Sequence, residues 1–179
     1  AGVISGYPDG TFKPAQAVTR GQAAKMLVNA YDLTKGDKTV SFTDVPASNE
    51  YAQAIEVLAS QGFINGYADG TFKPTEEITR GQFAKILTNI LGLTSNGTNP
   101  FKDVAASNEY ASAITALYES GITKGTSAGT YSPAADVTRG QLSSFIVRGL
   151  TWLEENAPEE GPQEPTPEEG AFNLSILHV

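Results

Sequence analysis

Hydrophobic residues recur at helical spacing in two kinds of segment. The first predicts a helix whose apolar face is formed by Tyr51, Ala54, Ile55, Leu58 and Ala59. The second begins at Thr79 and has an apolar face formed by Phe83, Ile86, Leu87, Ile90 and Leu91. Gly62 stands where a left-handed residue would end the first helix. Thr79-x-x-Gln82 has the form of a capping box, which predicts the start of the second helix.

The sequence of the loop between these helices occurs three times in the chain. Gly6-Tyr7-Pro8-Asp9-Gly10-Thr11-Phe12-Lys13-Pro14 returns at residues 66–74 and, with fewer identities, at residues 125–133. Thr-Arg-Gly-Gln follows each copy at the same distance, as Thr19–Gln22, Thr79–Gln82 and Thr138–Gln141. The glycine that opens the loop recurs after 60 and then 59 positions, so one helix–loop–helix unit is used repeatedly.

A repeat of this kind cannot bury the apolar face of either helix alone, so the repeats must pack on one another. We predict an all-α fold of three helix–loop–helix repeats in a pseudo-threefold arrangement. The predicted boundaries are residues 1–33 for repeat 1, which lacks its first helix, 42–93 for repeat 2 and 101–153 for repeat 3. We expect residues 154–170, rich in Glu, Pro and Gly, to be a disordered linker, and residues 171–179 to be the first strand of a following domain that has been removed.

Composition narrows the classes of function. The net charge of −8 belongs to the tail, because residues 1–150 hold all 12 basic residues and 13 of the 20 acids. Residues 1–150 have no excess of basic residues, so binding to nucleic acid or to an anionic membrane is not favoured. No stretch of the sequence is apolar enough to cross a bilayer. The chain has no cysteine and a single histidine, His178, so we expect no metal site, no cofactor and no catalysis within these residues.

Three arginines are the candidate binding residues. Arg20, Arg80 and Arg139 each follow a predicted helix N-cap, beside backbone N–H groups that lack an intrahelical partner. A helix N-terminus with an adjacent guanidinium can hold a carboxylate or a phosphate. The alternative is that each arginine pairs with an acid of a neighbouring repeat, such as Asp44 or Asp103.

Glycines and tyrosines of the repeated loop are further candidates, each with a structural alternative. Gly6, Gly66 and Gly125 would let a ligand approach the backbone closely, but they are equally expected as turn glycines. Tyr7 and Tyr67 would stack on a flat face of a ligand, but core or interface packing explains them equally well.

The recurring pattern Phe-x-Asp-Val, Tyr-x-x-Ala-Ile, Gly-Tyr-x-Asp-Gly-Thr-Phe-x-Pro and Thr-Arg-Gly-Gln closely resembles the S-layer homology (SLH) repeat of bacterial cell-surface proteins. The resemblance covers residues 1 to about 150. It implies three repeats whose grooves hold a secondary cell-wall polysaccharide, typically ending in a pyruvylated sugar. The family motif Thr-Arg-Ala-Glu falls on the three Thr-Arg-Gly-Gln copies, which adds Thr19, Thr79, Thr138, Gln82 and Gln141 to the implied ligand-binding residues. Gly-Gln replaces Ala-Glu in all three copies, which removes a carboxylate and adds backbone freedom to the first helical turn.

The resemblance implies a secreted, monomeric module of a Gram-positive surface or S-layer. It would anchor an exported protein non-covalently to the polysaccharide attached to peptidoglycan, without contacting nucleic acid or entering the membrane. Residues 171–179 also resemble the first strand of bacterial 5′-nucleotidases of the metallophosphatase family. The alternatives are therefore the anchor segment of a surface nucleotidase, or a protein that assembles an S-layer lattice by self-contact.

Overall fold

The computed structural model describes residues 6–157, and these form an all-helical fold. Its helices are α1 (Arg20–Ala30), α2 (Ala52–Ser60), α3 (Arg80–Leu91), α4 (Ala111–Glu119) and α5 (Arg139–Glu155). We call α2 and α4 the leading helices of repeats 2 and 3, and α1, α3 and α5 the trailing helices of repeats 1, 2 and 3. The predicted fold class is confirmed.

The last helix extends past the predicted end of repeat 3. Helix α5 continues to Glu155, two residues into the predicted linker at 154–170. The rest of that linker and the strand predicted at 171–179 lie outside the described residues.

Each trailing helix begins with the predicted capping box. In α3 the backbone N–H of Gln82 donates to Oγ1 of Thr79 over 3.3 Å, and Oε1 of Gln82 accepts from the N–H of Thr79 over 3.2 Å. The same reciprocal pair starts α1 at Thr19 and α5 at Thr138. The left-handed Gly92 (φ 64°) ends α3, so local signals set both ends of this helix.

Helices pair across repeats rather than within them. Helix α1 packs against α2, α3 packs against α4, and α5 contacts α1 and α3. Within residues 6–157 no leading helix covers α5, and Val147 is 57 % exposed there. Thr88 occupies the same repeat position on α3, under α4, and is only 4 % exposed. A trailing helix therefore depends on the following repeat to bury its face.

A closed cycle of backbone hydrogen bonds joins the three repeats. The N–H of Val18 donates to the carbonyl of Val137, that of Val137 to Ile78, and that of Ile78 back to Val18, each over 2.9 Å. All three residues are 0 % exposed. The repeats are thus related by a pseudo-threefold axis, as predicted, with these residues closest to it.

In repeats 2 and 3 a carboxylate fastens the loop to the segment before the leading helix. The two carboxylate oxygens of Asp103 accept from the N–H groups of Tyr131 (2.9 Å) and Ser132 (2.7 Å), and Asp44 forms the same clamp in repeat 2. Desolvation acts to raise the pKa of Asp103, but the bonds from Tyr131 and Ser132 outweigh it, so the pKa lies below its ordinary value.

We expect Ile78→Ala to lower the free energy of unfolding by about 2–5 kcal/mol, because it leaves a cavity at the axis where all three repeats meet. Urea denaturation followed by circular dichroism measures the loss. The control is Val147→Ala, which removes an exposed aliphatic side chain and should change stability little. Equal effects of the two variants would contradict the axial role of Ile78.

We expect Asp103→Asn to destabilise the protein at pH 7 by about 1–3 kcal/mol, because the amide can accept only one of the two N–H bonds. A carboxyl with a lowered folded pKa stabilises the protein above its unfolded pKa of about 3.9 and loses this effect as the pH falls through the folded value. The gap between wild type and variant should therefore narrow below about pH 4. Urea denaturation at pH 7, 5 and 3 measures the difference in free energy of unfolding between wild type and variant. Asp37→Asn is the control, because Asp37 is exposed. A difference that stays constant with pH would contradict the clamp.

Candidate functional site

The arginine of each Thr-Arg-Gly-Gln copy lies at the junction between two repeats. Nε of Arg20 donates to the carbonyl of Phe72, and Nε of Arg80 donates to that of Tyr131, each over 2.8 Å. Nε of Arg139 donates to the carbonyl of Phe12 over the same distance, which closes the circle. The first helical residue of one repeat is thereby fixed to the loop of the next.

Aromatic rings of the same loops lie beneath these guanidinium groups. The Cζ atom of Arg20 is 4.5 Å from the ring centroid of Phe72 and 5.0 Å from that of Tyr67. The Cζ atom of Arg80 is 4.5 Å from the ring of Tyr131. Burial raises the pKa of Tyr131 to about 12, so this ring stays neutral under the cation. Such contacts stabilise a partly desolvated cation.

Arg20 and Arg80 are nearly buried, yet part of each side chain remains available. They are 7 % and 3 % exposed, and desolvation lowers the pKa of both. Within the described residues Nε is the hydrogen-bonded nitrogen of each, and no buried side-chain nitrogen or oxygen lacks a partner. The Nη amino groups of Arg20 and Arg80, which have no hydrogen-bond partner among the described residues, therefore keep some contact with solvent.

That solvent fills a groove beside each of the two arginines. Groove 1 has a volume of about 340 Å³ and is lined by Arg20, residues 63–68, Gln82, Lys85, Ile86, Asn89, Glu109 and Tyr110. It unites four predicted residues, Arg20, Gly66, Tyr67 and Gln82, and Gln82 Nε2 donates to the hydroxyl of Tyr67 over 3.3 Å. Each groove wall comes from more than one repeat, so the site requires the assembled domain.

Groove 2 is the counterpart one repeat further on. Its volume is about 330 Å³, and it is lined by Arg80, Thr123, Gly125, Thr126, Gly140, Gln141, Ser144, Phe145 and Arg148. Three of these, Arg80, Gly125 and Gln141, are predicted site residues.

The junction around Arg139 includes two further candidates, Gly6 and Tyr7. The Cζ atom of Arg139 lies 4.7 Å from the ring centroid of Tyr7 and 4.9 Å from that of Phe12. The hydroxyl of Tyr7 donates to Gln16 over 3.1 Å. Gly6 precedes Tyr7 in the same loop, and a Cβ there would meet the carbonyl oxygen of Thr11 at 2.9 Å.

The prediction that free helix N–H groups would hold the anion is wrong. In α3 the N–H of Arg80 donates to Ala135, and that of Gly81 donates to Pro133, each over 2.8 Å. The third N–H, of Gln82, is taken by the hydroxyl of Thr79. Helices α1 and α5 dock on loops in the same way, so tertiary contacts satisfy the first-turn donors. Thr19, Thr79 and Thr138 therefore cap helices, and their hydroxyls accept bonds from the protein itself.

The alternative prediction, an ion pair with Asp44 or Asp103, is also not what the structure shows for Arg20 and Arg80. Both carboxylates instead receive backbone N–H groups of their own loop. The ion pairs among the described side chains join Lys13, Lys35 and Lys73 to acids.

The loop and helix glycines are required by packing. A Cβ on Gly66 would meet the ring of Phe42 and the carbonyl oxygen of Thr71, the latter at 2.6 Å. A Cβ on Gly81 would overlap the ring of Tyr110. In repeats 1 and 2 the glycine of the Gly-Gln departure therefore makes room for an aromatic ring, that of Tyr51 at Gly21 and that of Tyr110 at Gly81, rather than only loosening the first turn.

Several groove residues were missed by the sequence prediction. Lys85 and Asn89 follow Gln82 at intervals of three and seven, and Ser144 and Arg148 follow Gln141 in the same way. This spacing places each set on one helical face, and that signal was available in the sequence. Glu109 gave no such signal, because it reaches groove 1 from the following repeat.

The S-layer homology domain family matches residues 1–24, 41–84 and 100–143, each segment covering a loop or a trailing-helix start described above. The chain belongs to the SLH family. It is a cell-surface anchoring module of that family, and the match does not extend to residues 171–179.

Curated relatives agree with this assignment. The chain is 32 % identical over 178 residues to cell surface glycoprotein 1 of Acetivibrio thermocellus, covering 92 % of this chain and 7 % of that protein. It is 33 % identical over 159 residues to the cellulosome-anchoring protein of the same organism, covering 82 % of this chain and 35 % of that protein. The surface-layer 125 kDa protein of Lysinibacillus sphaericus is 39 % identical over 95 residues, which is 53 % of this chain and 8 % of that protein. The SLH chain thus spans a minor part of these relatives.

Residues 6–157 contain neither a candidate membrane span nor a candidate metal site. None of the helices there has the length and hydropathy of a membrane span. No group of three or more His, Cys, Asp and Glu side chains in that range is placed to hold a metal ion.

We expect Gly81→Ala to destabilise the SLH module by about 1–3 kcal/mol, because the new methyl group must displace the ring of Tyr110. Thermal unfolding by differential scanning calorimetry measures the change. The matched control is Gly140→Ala at the same repeat position, where the new Cβ would meet the carbonyl oxygen of Pro14 at 3.2 Å and its Cβ at 3.3 Å, and no aromatic ring. The packing argument requires the Gly81 variant to lose more stability than the Gly140 variant.

Proposed function

We propose that this SLH module tethers an exported protein to the bacterial cell wall by binding an acidic secondary cell-wall polysaccharide. The observation that carries the proposal is the state of Arg20 and Arg80. Each guanidinium is anchored through Nε, its Nη groups have no hydrogen-bond partner among the described residues, and the side chain lines an open groove. A pyruvyl substituent or another sugar acid carries the carboxylate that such a pair of donors binds best.

Binding depends on preorganisation. An exposed arginine would lose rotamer freedom on gripping a ligand, whereas Arg20 and Arg80 already have fixed orientations. Their desolvation is also largely complete before the ligand arrives, since they are 7 % and 3 % exposed. The carboxylate then supplies the counter-charge that the aromatic rings and the loop carbonyl only partly replace.

Neutral parts of the sugar have partners in groove 1. Asn65, Asn89 and Glu109 line it together with Lys85 and Tyr110. Amide groups both donate to and accept from hydroxyls, carboxylates accept from them, and Tyr110 adds an aromatic side chain to the lining. The ring of Tyr67 is already contacted by Arg20 and by Nζ of Lys73 at 4.6 Å. We therefore assign Tyr67 to orienting Arg20 rather than to stacking on a sugar.

Two grooves on one rigid domain give avidity toward a polymer. Once one groove holds a unit of the polysaccharide, the second binds at a raised effective concentration. We also propose that residues 1–179 bind without catalysing a reaction.

We expect Arg20→Gln and Arg80→Gln each to weaken retention on purified cell-wall sacculi by about 10–100-fold, and the double variant to abolish it, because each change removes a charge-assisted pair of bonds. A sedimentation assay of bound and free protein measures retention. Lys35→Gln is the charge-matched control, since Lys35 is exposed and pairs with Glu56. Acid removal of the accessory glycan should abolish retention of the wild type.

A buried arginine variant can also lose binding by unfolding. Circular dichroism of each variant identifies that case, and Lys85→Gln provides a second test because Lys85 is an exposed groove 1 residue. Folded variants that remain bound as tightly as wild type, or binding that survives removal of the glycan, would refute polysaccharide recognition by these grooves.

A further inference from the structure

The two grooves occupy equivalent positions but differ in the residues that their trailing helices supply. Helix α3 presents Lys85 and Asn89 to groove 1. The same positions of α5 are Ser144 and Arg148, which line groove 2. A short hydroxyl thus replaces an amine, and a guanidinium replaces an amide.

Arg148 is held in groove 2 by one backbone bond. Its Nη1 donates to the carbonyl of Ile122 over 3.2 Å, and Ile122 is 1 % exposed. Asn89 makes the equivalent bond in groove 1, from Nδ2 to the carbonyl of Phe63 over 3.0 Å. The two side chains therefore start from the same anchor, but Arg148 has further donors, and no carboxylate within residues 6–157 forms an ion pair with it.

The charge of the two grooves differs as a result. Groove 1 is lined by Arg20 and Lys85 with Glu109, which gives 2 − 1 = +1. Groove 2 is lined by Arg80 and Arg148 with no acid among the described lining residues, which gives +2. Two guanidinium groups in one cavity repel each other, and an anion bound between them removes that repulsion.

We propose that groove 2 binds a glycan segment carrying two negative charges, one held by Arg80 and the other by Arg148, whereas groove 1 binds a single acidic substituent. This deepens the proposed function and rests on it. The chemistry fits either a phosphate group on one sugar or carboxylates on two neighbouring sugars. The module would then distinguish two positions on one polymer instead of binding the same unit twice.

Three probes separate these possibilities at pH 7. Galacturonate carries one carboxylate, glucose 1-phosphate carries about two charges on one group, and digalacturonate carries one charge on each of two sugars. Titration of the ¹⁵N-labelled chain, followed at the Nε–H signals of Arg20, Arg80 and Arg148, reports each groove separately. We expect glucose 1-phosphate or digalacturonate to bind groove 2 about tenfold more tightly than galacturonate, and the probe that does so identifies the source of the charge.

Two matched variants test the role of Arg148. Arg148→Asn installs the residue found at this position in groove 1, keeps the backbone anchor and should remove the tenfold preference without changing the Arg20 signals. Asn89→Arg makes the reverse exchange and should create the preference in groove 1. Neither residue is buried in the core, so both variants should fold.

Equal affinities of groove 2 for all three probes, no response of Arg80 and Arg148 to either doubly charged probe, or an unchanged preference in Arg148→Asn would overturn the two-charge assignment. These results are independent of the sacculus experiment. If the Arg20 and Arg80 variants lose retention on sacculi but groove 2 binds all three probes equally, the proposal of wall binding stands. Only the proposed difference between the two grooves is then refuted.

Discussion

The structure depends on a circular constraint: every repeat is completed by another. The cycle Val18–Val137–Ile78 is its central element, because three backbone bonds of equal length close only when all three repeats are in place. The arginine bonds form a second cycle, from each trailing helix to the loop of the next repeat. The helix pairs α1–α2 and α3–α4 add the apolar contacts that hold these polar cycles together. Together these contacts make the domain cooperative, since removing any one repeat exposes polar and apolar groups of its neighbours.

This constraint also produces the binding groups. A guanidinium that bonds a loop carbonyl through Nε still has the N–H donors of both Nη groups to offer a ligand. Arg20 and Arg80 show the consequence, with nearly complete burial of the side chain and an open groove beside it. The same residues therefore hold the repeats together and present charge to a ligand. For that reason loss of binding in an arginine variant has to be separated from loss of fold.

Internal symmetry makes the grooves comparable, and sequence divergence makes them different. Repeat 3 keeps the arginine junction and the capping box, but it replaces Lys and Asn of the groove face by Ser144 and Arg148. Residues that maintain the cycles recur in all three copies, whereas residues that only line the solvent vary. The divergence within the chain thus separates structural positions from positions available for specificity.

The repeat period, the helix starts at Thr19, Thr79 and Thr138, the all-α class and the three arginines could all be predicted from the sequence, because capping and amphipathic spacing are local properties of a helix. The tertiary structure was needed to show what the arginines contact. Their partners Phe12, Phe72 and Tyr131 lie 51 to 127 positions away in the sequence. The first two N–H groups of each trailing helix, which were expected to bind the ligand, donate instead to loop carbonyls of another repeat. The tertiary structure also decided that Gly81 is needed for the ring of Tyr110 and that Glu109 reaches groove 1. Local patterns cannot specify such contacts, because the pairing of one repeat with the next depends on packing in three dimensions.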